Sequence, residues 1–301
     1  MKSIVLAGIF MRKADVSRAG IPVLVGLLTW VVLSPAVSLS EEAIWKRIDE
    51  GLFIGEFASP QSSRMTDPKV VVVKVDPEFY SFKLLCASEY DRERMAPKKW
   101  CEKFKLTAAI NAGMYQEDGF TNVGLMKNFN HLNNPRLNNS YKAVLAFNPV
   151  DSDVPEIQII DLRCQDFRKL RPKYQTLVQN IRMISCRQEN VWARQDRTSS
   201  MAVFGLDKTG KALLVFSEAL YSGHDFINLL LSLPLSIFSA LYLEGGPEAS
   251  LFFSRGGAEF ERVGIYETGF QEGSARSVAR PVPNVIGIAK KRPSRLQSDK
   301  E

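Results

Sequence analysis

The chain has 301 residues, 45% hydrophobic and 24% charged, an ordinary globular mixture long enough for one large or two modest domains with a real core. Its net charge of +6 suits an anionic ligand, but the basic residues are scattered apart from Lys98-Lys99 and the tail from Lys290 to Lys300. With no zinc-finger spacing, no RNA-binding aromatic motif and no continuous basic stripe, no nucleic-acid partner is expected; two histidines leave little for a metal-histidine cluster.

The N-terminus reads as an address. Arg12, Lys13 and Arg18 precede the uncharged apolar run Ile21 to Leu33, followed by Ser34, Pro35, Ala36, Val37 and Ser38. That order of basic region, short apolar region and small residues is a secretory signal, with a mature chain starting near Glu41. The run is shorter than the ~20 apolar residues of a comfortable membrane span. An uncleaved anchor is the alternative, and it is the only route to a membrane. A start at Met11 would remove the apolar stretch Ile4 to Phe10, which fits a signal poorly. The expected location is therefore outside the cytoplasm, periplasmic or secreted. Four cysteines in an exported chain favour disulfides. Pairing of neighbours, Cys86 with Cys101 and Cys164 with Cys186, is the simplest of three connectivities, and buried free thiols are the alternative.

Residues 44–57 read as a strand or hairpin before a loop at Pro60. Val70 to Val75 is a strand buried on both faces, and Tyr80 to Cys86 beyond the Asp76-Pro77 turn is expected to pair with it antiparallel. Residues 96–106 are helical, with Pro97 in the first turn. Thr107 to Ile110 is a short strand running into Asn111-Ala112-Gly113-Met114-Tyr115, and Val123 to Lys127 is another. The six asparagines between 128 and 139, with His131 and Pro135, mark a loop in which His131 is expected to be an exposed side chain. Strands follow at 141–148 and 156–162, while 163–179 is charged and less regular. Met201 to Leu206 and Ala212 to Ser217 form a hairpin about Asp207 and Gly210. Gly223 to Leu233 is a helix for which His224-Asp225 are the candidate cap. Ala240 to Leu243 is a buried strand ending in Glu244-Gly245-Gly246, Ala249 to Phe253 packs inward, and the prolines 281 and 283 precede a last strand at 285–289. The fold class that follows is α+β, a mixed, mostly antiparallel sheet flanked by a few helices in one domain. Residues 41–67 form its N-terminal strand and loop, 68–290 its body, and 291–301 a disordered basic tail.

Polar residues stand at four ends of apolar strands: Asn111, Arg197, Glu244, and Arg280 with Asn284. Gly245 and Gly246 let the backbone turn and let a ligand approach Glu244 closely. Arginine offers a fork that fits phosphate, asparagine both donates and accepts, and a carboxylate exchanges a proton. Unrelated surface ion pairs are the plain alternative. Serine-elbow, HExxH, P-loop and dinucleotide fingerprints are absent from the sequence. No cofactor is expected; a divalent ion at Glu244 suits a carboxylate, but no ligand cluster points to one.

In order and spacing, Asn111-Ala112-Gly113-Met114-Tyr115, Gly124-Leu125, Arg197-Thr198-Ser199, Leu243-Glu244-Gly245-Gly246 and Arg280-Pro281-Val282-Pro283-Asn284 resemble the motifs of the phosphodiester glycosidase family. The likeness spans roughly residues 68 to 290. It departs from the family in having Ala112 and Met114 where glycine and phenylalanine are usual, and Glu244 with Pro247-Glu248 where Asp-Gly-Gly-Gly-Ser is usual. The resemblance implies cleavage of a sugar-1-phosphodiester, or a related glycan substrate, at its glycosidic side. It implies Glu244 as acid/base or positioning carboxylate, Arg197 and Arg280 on the phosphate, and Asn111 and Asn284 on sugar or phosphate oxygens. Gly113, Gly245 and Gly246 would border the substrate. A binder of carbohydrate or anionic envelope polymer on the same fold is the rival reading, favoured by Pro247 and Glu248.

Overall fold

In the computed structural model, which describes residues 45–58, 69–265 and 278–292, the chain opens on a hairpin of β1 (Trp45–Asp49) and β2 (Leu52–Ala58). The expected signal segment, the loop at Pro60 and the basic tail beyond Arg292 lie outside the described residues. The next strand, β3 (Lys69–Val75), lies beside β2. Its valines alternate between two cores: Val71 and Val73 face one, Val70 and Val72 the other. That is why the run carries no polar face.

The strand that follows, β4 (Tyr80–Cys86), does not pair with β3. Both edges of β3 are taken, by β2 and by a later strand, and the turn at Asp76 carries the chain into a second sheet. The expected antiparallel pair over 70–86 is therefore corrected: consecutive strands here belong to facing layers. After α1 (Pro97–Phe104) come β5 (Ala108–Asn111), β6 (Met126–Asn128), β7 (His131–Asn134), β8 (Ala143–Pro149) and β9 (Ile157–Asp161). Thus the asparagine-rich segment is in part a hairpin. A short α2 (Phe167–Leu170) leads into β10 (Tyr174–Ile184), which occupies part of the segment read as irregular. Its buried Thr176, Gln179 and Asn180 hide the strand's apolar pattern. Then follow β11 (Ser199–Asp207), β12 (Ala212–Tyr221), α3 (Gly223–Ser232), β13 (Ile237–Gly245), β14 (Ser250–Arg255), β15 (Ala258–Val263) and β16 (Asn284–Lys290).

Two sheets result. The larger runs β1-β2-β3-β12-β11-β13-β10-β6-β7, with β8 and β9 attached through β10; the smaller runs β15-β14-β5-β16-β4. Every pairing among these strands is antiparallel, in line with the expected α+β fold of mostly antiparallel sheet. The sheets meet face to face over one core that includes Val73, Phe82, Ile110, Phe204, Leu243 and Ile286. On the outer face of the large sheet α3 buries Phe226, Ile227 and Leu230. Ser222, rather than His224 or Asp225, caps it: its Oγ accepts from Asp225 N at 3.1 Å. On the outer face of the small sheet α1 buries Trp100 and Cys101 against Leu85, Ala109 and Val285.

This layering decides the cysteines. Cys86 faces the core between the sheets and Cys101 the core beneath α1, on opposite sides of the small sheet, so both are free. The expected Cys86–Cys101 bridge is thereby corrected. Cys164 and Cys186 are bridged, with their Cα atoms 6.5 Å apart. No helix among the described residues is long and apolar enough to cross a membrane.

Candidate active site

Strand β13 lies between β11 and β10, so its C-terminal end is held on both sides. A register shift between Ala202 and Val203 of β11 accompanies the place where Glu244 stands opposite Ala202. Glu244 is 8% exposed, and among the described residues its carboxylate accepts only from the next one, with Gly245 N donating to Oε1 at 3.0 Å. Burial pushes its pKa from the usual 4.5 up to about 8, the negative charge of Glu248 adds to the rise, and the Gly245 N–H opposes it. A carboxyl in that state can donate a proton near neutral pH. At Gly245 a Cβ would lie 2.1 Å from the Tyr242 hydroxyl, and Gly246 turns the chain at a φ of +67°. These two glycines are what the close approach and the turn require.

Glu244 and Gly245 line a cavity of about 570 Å³ together with Arg197, Lys142, Gln195 and Ser199. Its apolar side is Trp192 and Tyr242, whose rings lie 5.6 Å apart. Trp192 is fixed: its Nε1 donates to Arg182 O at 2.7 Å, and it lies so close over Gly223 that a Cβ there would sit 2.1 Å from the ring. Arg182 also lines the cavity, but its charge is engaged, with Nη1 donating to the two oxygens of buried Asp161 at 2.8 and 2.7 Å. Asp161 further accepts from Cys186 N at 3.1 Å. The segment from Cys186 to Ser199, which carries Trp192, Gln195 and Arg197, is thus tethered at its start by this network and by the disulfide.

The structure brings Arg197, Glu244 and Gly245 to one cavity and sets the other expected residues behind or beside it. Asn111 is buried and its amide spans to the turn after Glu244: Nδ2 donates to Glu248 O at 2.8 Å and Oδ1 accepts from Ser250 N at 2.7 Å. It holds the Gly-Gly-Pro-Glu turn to the small sheet. Arg280 Nη1 pairs with Glu248 Oε1 at 2.6 Å, so it sits on the second carboxylate. Asn284 is buried and donates from Nδ2 to Phe120 O at 3.1 Å, and its main-chain O accepts from Ala112 N at 2.9 Å. Gly113, with a φ of +157°, leaves room for buried amides: a Cβ would lie 2.5 Å from Asn180 Oδ1 and 2.8 Å from Asn122 Oδ1.

Other residues at or beside the cavity stand outside the candidates read from the sequence. Tyr115 and Tyr141 have raised pKa values, chiefly from burial; Glu248 and then Glu244 add to the rise at Tyr115, and Glu244 adds to it at Tyr141. Both phenols therefore lie within the field of these carboxylates. Trp192 and Gln195 come from an irregular segment, where no periodicity marks them. Tyr115 was within reach, being the last residue of the Asn111 motif.

Two facing antiparallel sheets carry a cavity at the strand ends that holds one buried carboxyl, two arginines, one of them engaged by Asp161, and an aromatic wall. A family model described as phosphodiester glycosidase matches residues 104–289, well over half of the chain. The protein belongs to the phosphodiester glycosidase family. Among solved structures it is similar to the catalytic domain of zebrafish N-acetylglucosamine-1-phosphodiester alpha-N-acetylglucosaminidase, auto-inhibited by its pro-peptide. That match has a TM-score of 0.54 at 14% identity and covers 80% of this chain and 82% of that one. It is also similar to a hypothetical protein from Synechocystis, with a TM-score of 0.55 at 13% identity over 80% of this chain and 62% of that one. At such identities these structures share the fold. No match was found among curated proteins.

Proposed function

We propose that the protein is an exported hydrolase that cleaves a sugar-1-phosphodiester at its glycosidic bond, releasing a free sugar and a phosphomonoester. The observation that carries this reading is the buried Glu244 carboxyl, with its pKa near 8, in one cavity with Arg197. Family membership supplies the reaction class. Arg197 holds the phosphate and stabilises the charge that grows on it as the C1–O bond breaks. Lys142 lines the same cavity and adds a further positive charge to it. Glu244 protonates the bridging oxygen or, once ionised, takes the proton of the water that attacks C1. Phosphate is already a good leaving group, so charge stabilisation by arginine carries more of the rate than in an ordinary glycosidase. Trp192 and Tyr242 form the apolar wall against which a sugar ring can lie. Arg280 is paired with Glu248, the carboxylate whose charge adds to the rise in the Glu244 pKa, and Asn111 and Asn284 hold the turns they bond to. Export is supported by the N-terminal sequence and by the Cys164–Cys186 bridge, which persists in oxidising compartments.

The test is incubation of the protein with a panel of sugar-1-phosphodiesters, with free sugar and phosphomonoester followed by mass spectrometry. Equimolar products that vanish with Arg197→Ala support the reading. Compounds that bind folded protein without product would make it a binder instead.

A further inference from the structure

Away from this cavity, the end of β4 and the β6–β7 hairpin bring together three side chains of different chemistry. Donor atoms of Cys86, Glu89 and His131 all lie within 4.8 Å of one another. A second sulfur adjoins them: the Cys86 thiol points at Met126 Sδ, 3.7 Å away. Each of the other two groups is oriented by a further side chain. Ser88 Oγ lies 2.9 Å from His131 Nε2 and itself accepts from Asn133 Nδ2 at 2.9 Å. Asn128 Nδ2 donates to Glu89 Oε2 at 3.0 Å. The Nε2 contact leaves Nδ1 of His131 as the ring's second nitrogen. Thus the residue expected to be an exposed loop side chain is half-buried in a polar network beside the sheet.

We propose that Cys86, Glu89 and His131 form a binding site for a divalent transition-metal ion of the zinc type. A thiolate, a carboxylate and a neutral imidazole are ligands that zinc accepts together in tetrahedral geometry, with one position left for water or for the Met126 thioether. The charges close: thiolate and carboxylate together offset a divalent cation, which makes the ion tolerable beside a buried core. Binding replaces the S–H bond of Cys86 with a sulfur–metal bond and releases the thiol proton to solvent. Ser88 and Asn128 act as the outer groups that hold the imidazole and carboxylate in place. The ion would clamp β4, of the small sheet, to the hairpin carried by the large sheet, and so tie the two layers at this edge. The geometry stands apart from the Glu244 cavity, none of whose lining residues it shares.

Cobalt(II) is the probe, because a thiolate bound to it gives a charge-transfer absorption in the near ultraviolet. Titration of the metal-free protein, with the Cys164–Cys186 bridge kept oxidised, is expected to saturate at one cobalt per chain and to show that band. Added zinc should displace the cobalt and remove the band. The band should be lost in Cys86→Ser, unchanged in Cys101→Ser, and shifted to higher cobalt concentration in His131→Gln and Glu89→Gln. Ser88→Ala should weaken binding by about tenfold or more. Should Cys86→Ser fail to fold, His131→Gln and Glu89→Gln carry the decision, since neither alters the core. Absence of stoichiometric cobalt binding, or affinity unmoved by those two variants, would overturn the site. So would a band that survives in Cys86→Ser.

Discussion

Burial, more than a neighbouring charge, is what keeps the Glu244 carboxyl protonated into the neutral range. The consequence for rate depends on its role. If it delivers the proton in the slow step, kcat falls as pH rises through about 8, and Glu244→Gln flattens that limb of the profile. The consequence for stability has a fixed sign. The folded state holds a proton that the unfolded chain releases near 4.5, so this residue's contribution to stability is greatest below 4.5 and is lost as pH rises through about 8. Denaturant midpoints of wild type and Glu244→Gln should converge at acid pH, and Gln should be the more stable at alkaline pH. Arg197→Ala should cost roughly 3 kcal/mol of transition-state stabilisation, on the order of a hundredfold in kcat, with the fold intact. Unchanged turnover in that variant would remove Arg197 from the mechanism.

Two elements position the cavity and can be loosened separately. The helix α3 lies under Trp192 and begins at the Ser222 cap; Ser222→Ala should lower stability by about 1 kcal/mol, read as a shifted urea midpoint at unchanged m. The disulfide closes a span of 22 residues at the root of the Cys186–Ser199 segment. Replacing both cysteines with serine should cost about 3 kcal/mol and should raise KM more than it lowers kcat, because Trp192 and Arg197 are carried on that segment. An unaltered KM would mean that the Asp161 network alone holds the segment. At this scale the sequence was readable where apolar runs were short and clean. Strand β3, helix α1, helix α3 and the hairpin of β11 and β12 stand close to the residues whose patterns marked them. It was unreadable at β10, where Thr176, Gln179 and Asn180 are buried by hydrogen bonding rather than by hydrophobicity, so no alternation survives.

Across the whole molecule, partners were harder to read than elements. Nothing in Val70 to Cys86 says that its two strands enter different sheets; that follows from β2 and β12 occupying both edges of β3, one of them supplied more than a hundred residues later. The same layering separates Cys86 from Cys101. Of the residues at the cavity, Glu244 and Arg197 were legible as charged groups at the ends of apolar strands, and Gly245 and Gly246 as the turn beside Glu244. The aromatic wall was not, since Trp192 and Tyr242 meet only when the segment after β10 folds across β13. On the proposed reaction, this cavity breaks the bond between the sugar's C1 and oxygen and leaves the phosphorus–oxygen bonds untouched. Hydrolysis of a sugar-1-phosphodiester in water enriched in the heavy oxygen isotope decides it most directly. Cleavage at C1 puts the label in the C1 hydroxyl of the released sugar and none in the phosphomonoester; label in the phosphate would mean attack at phosphorus and would overturn the proposed reaction.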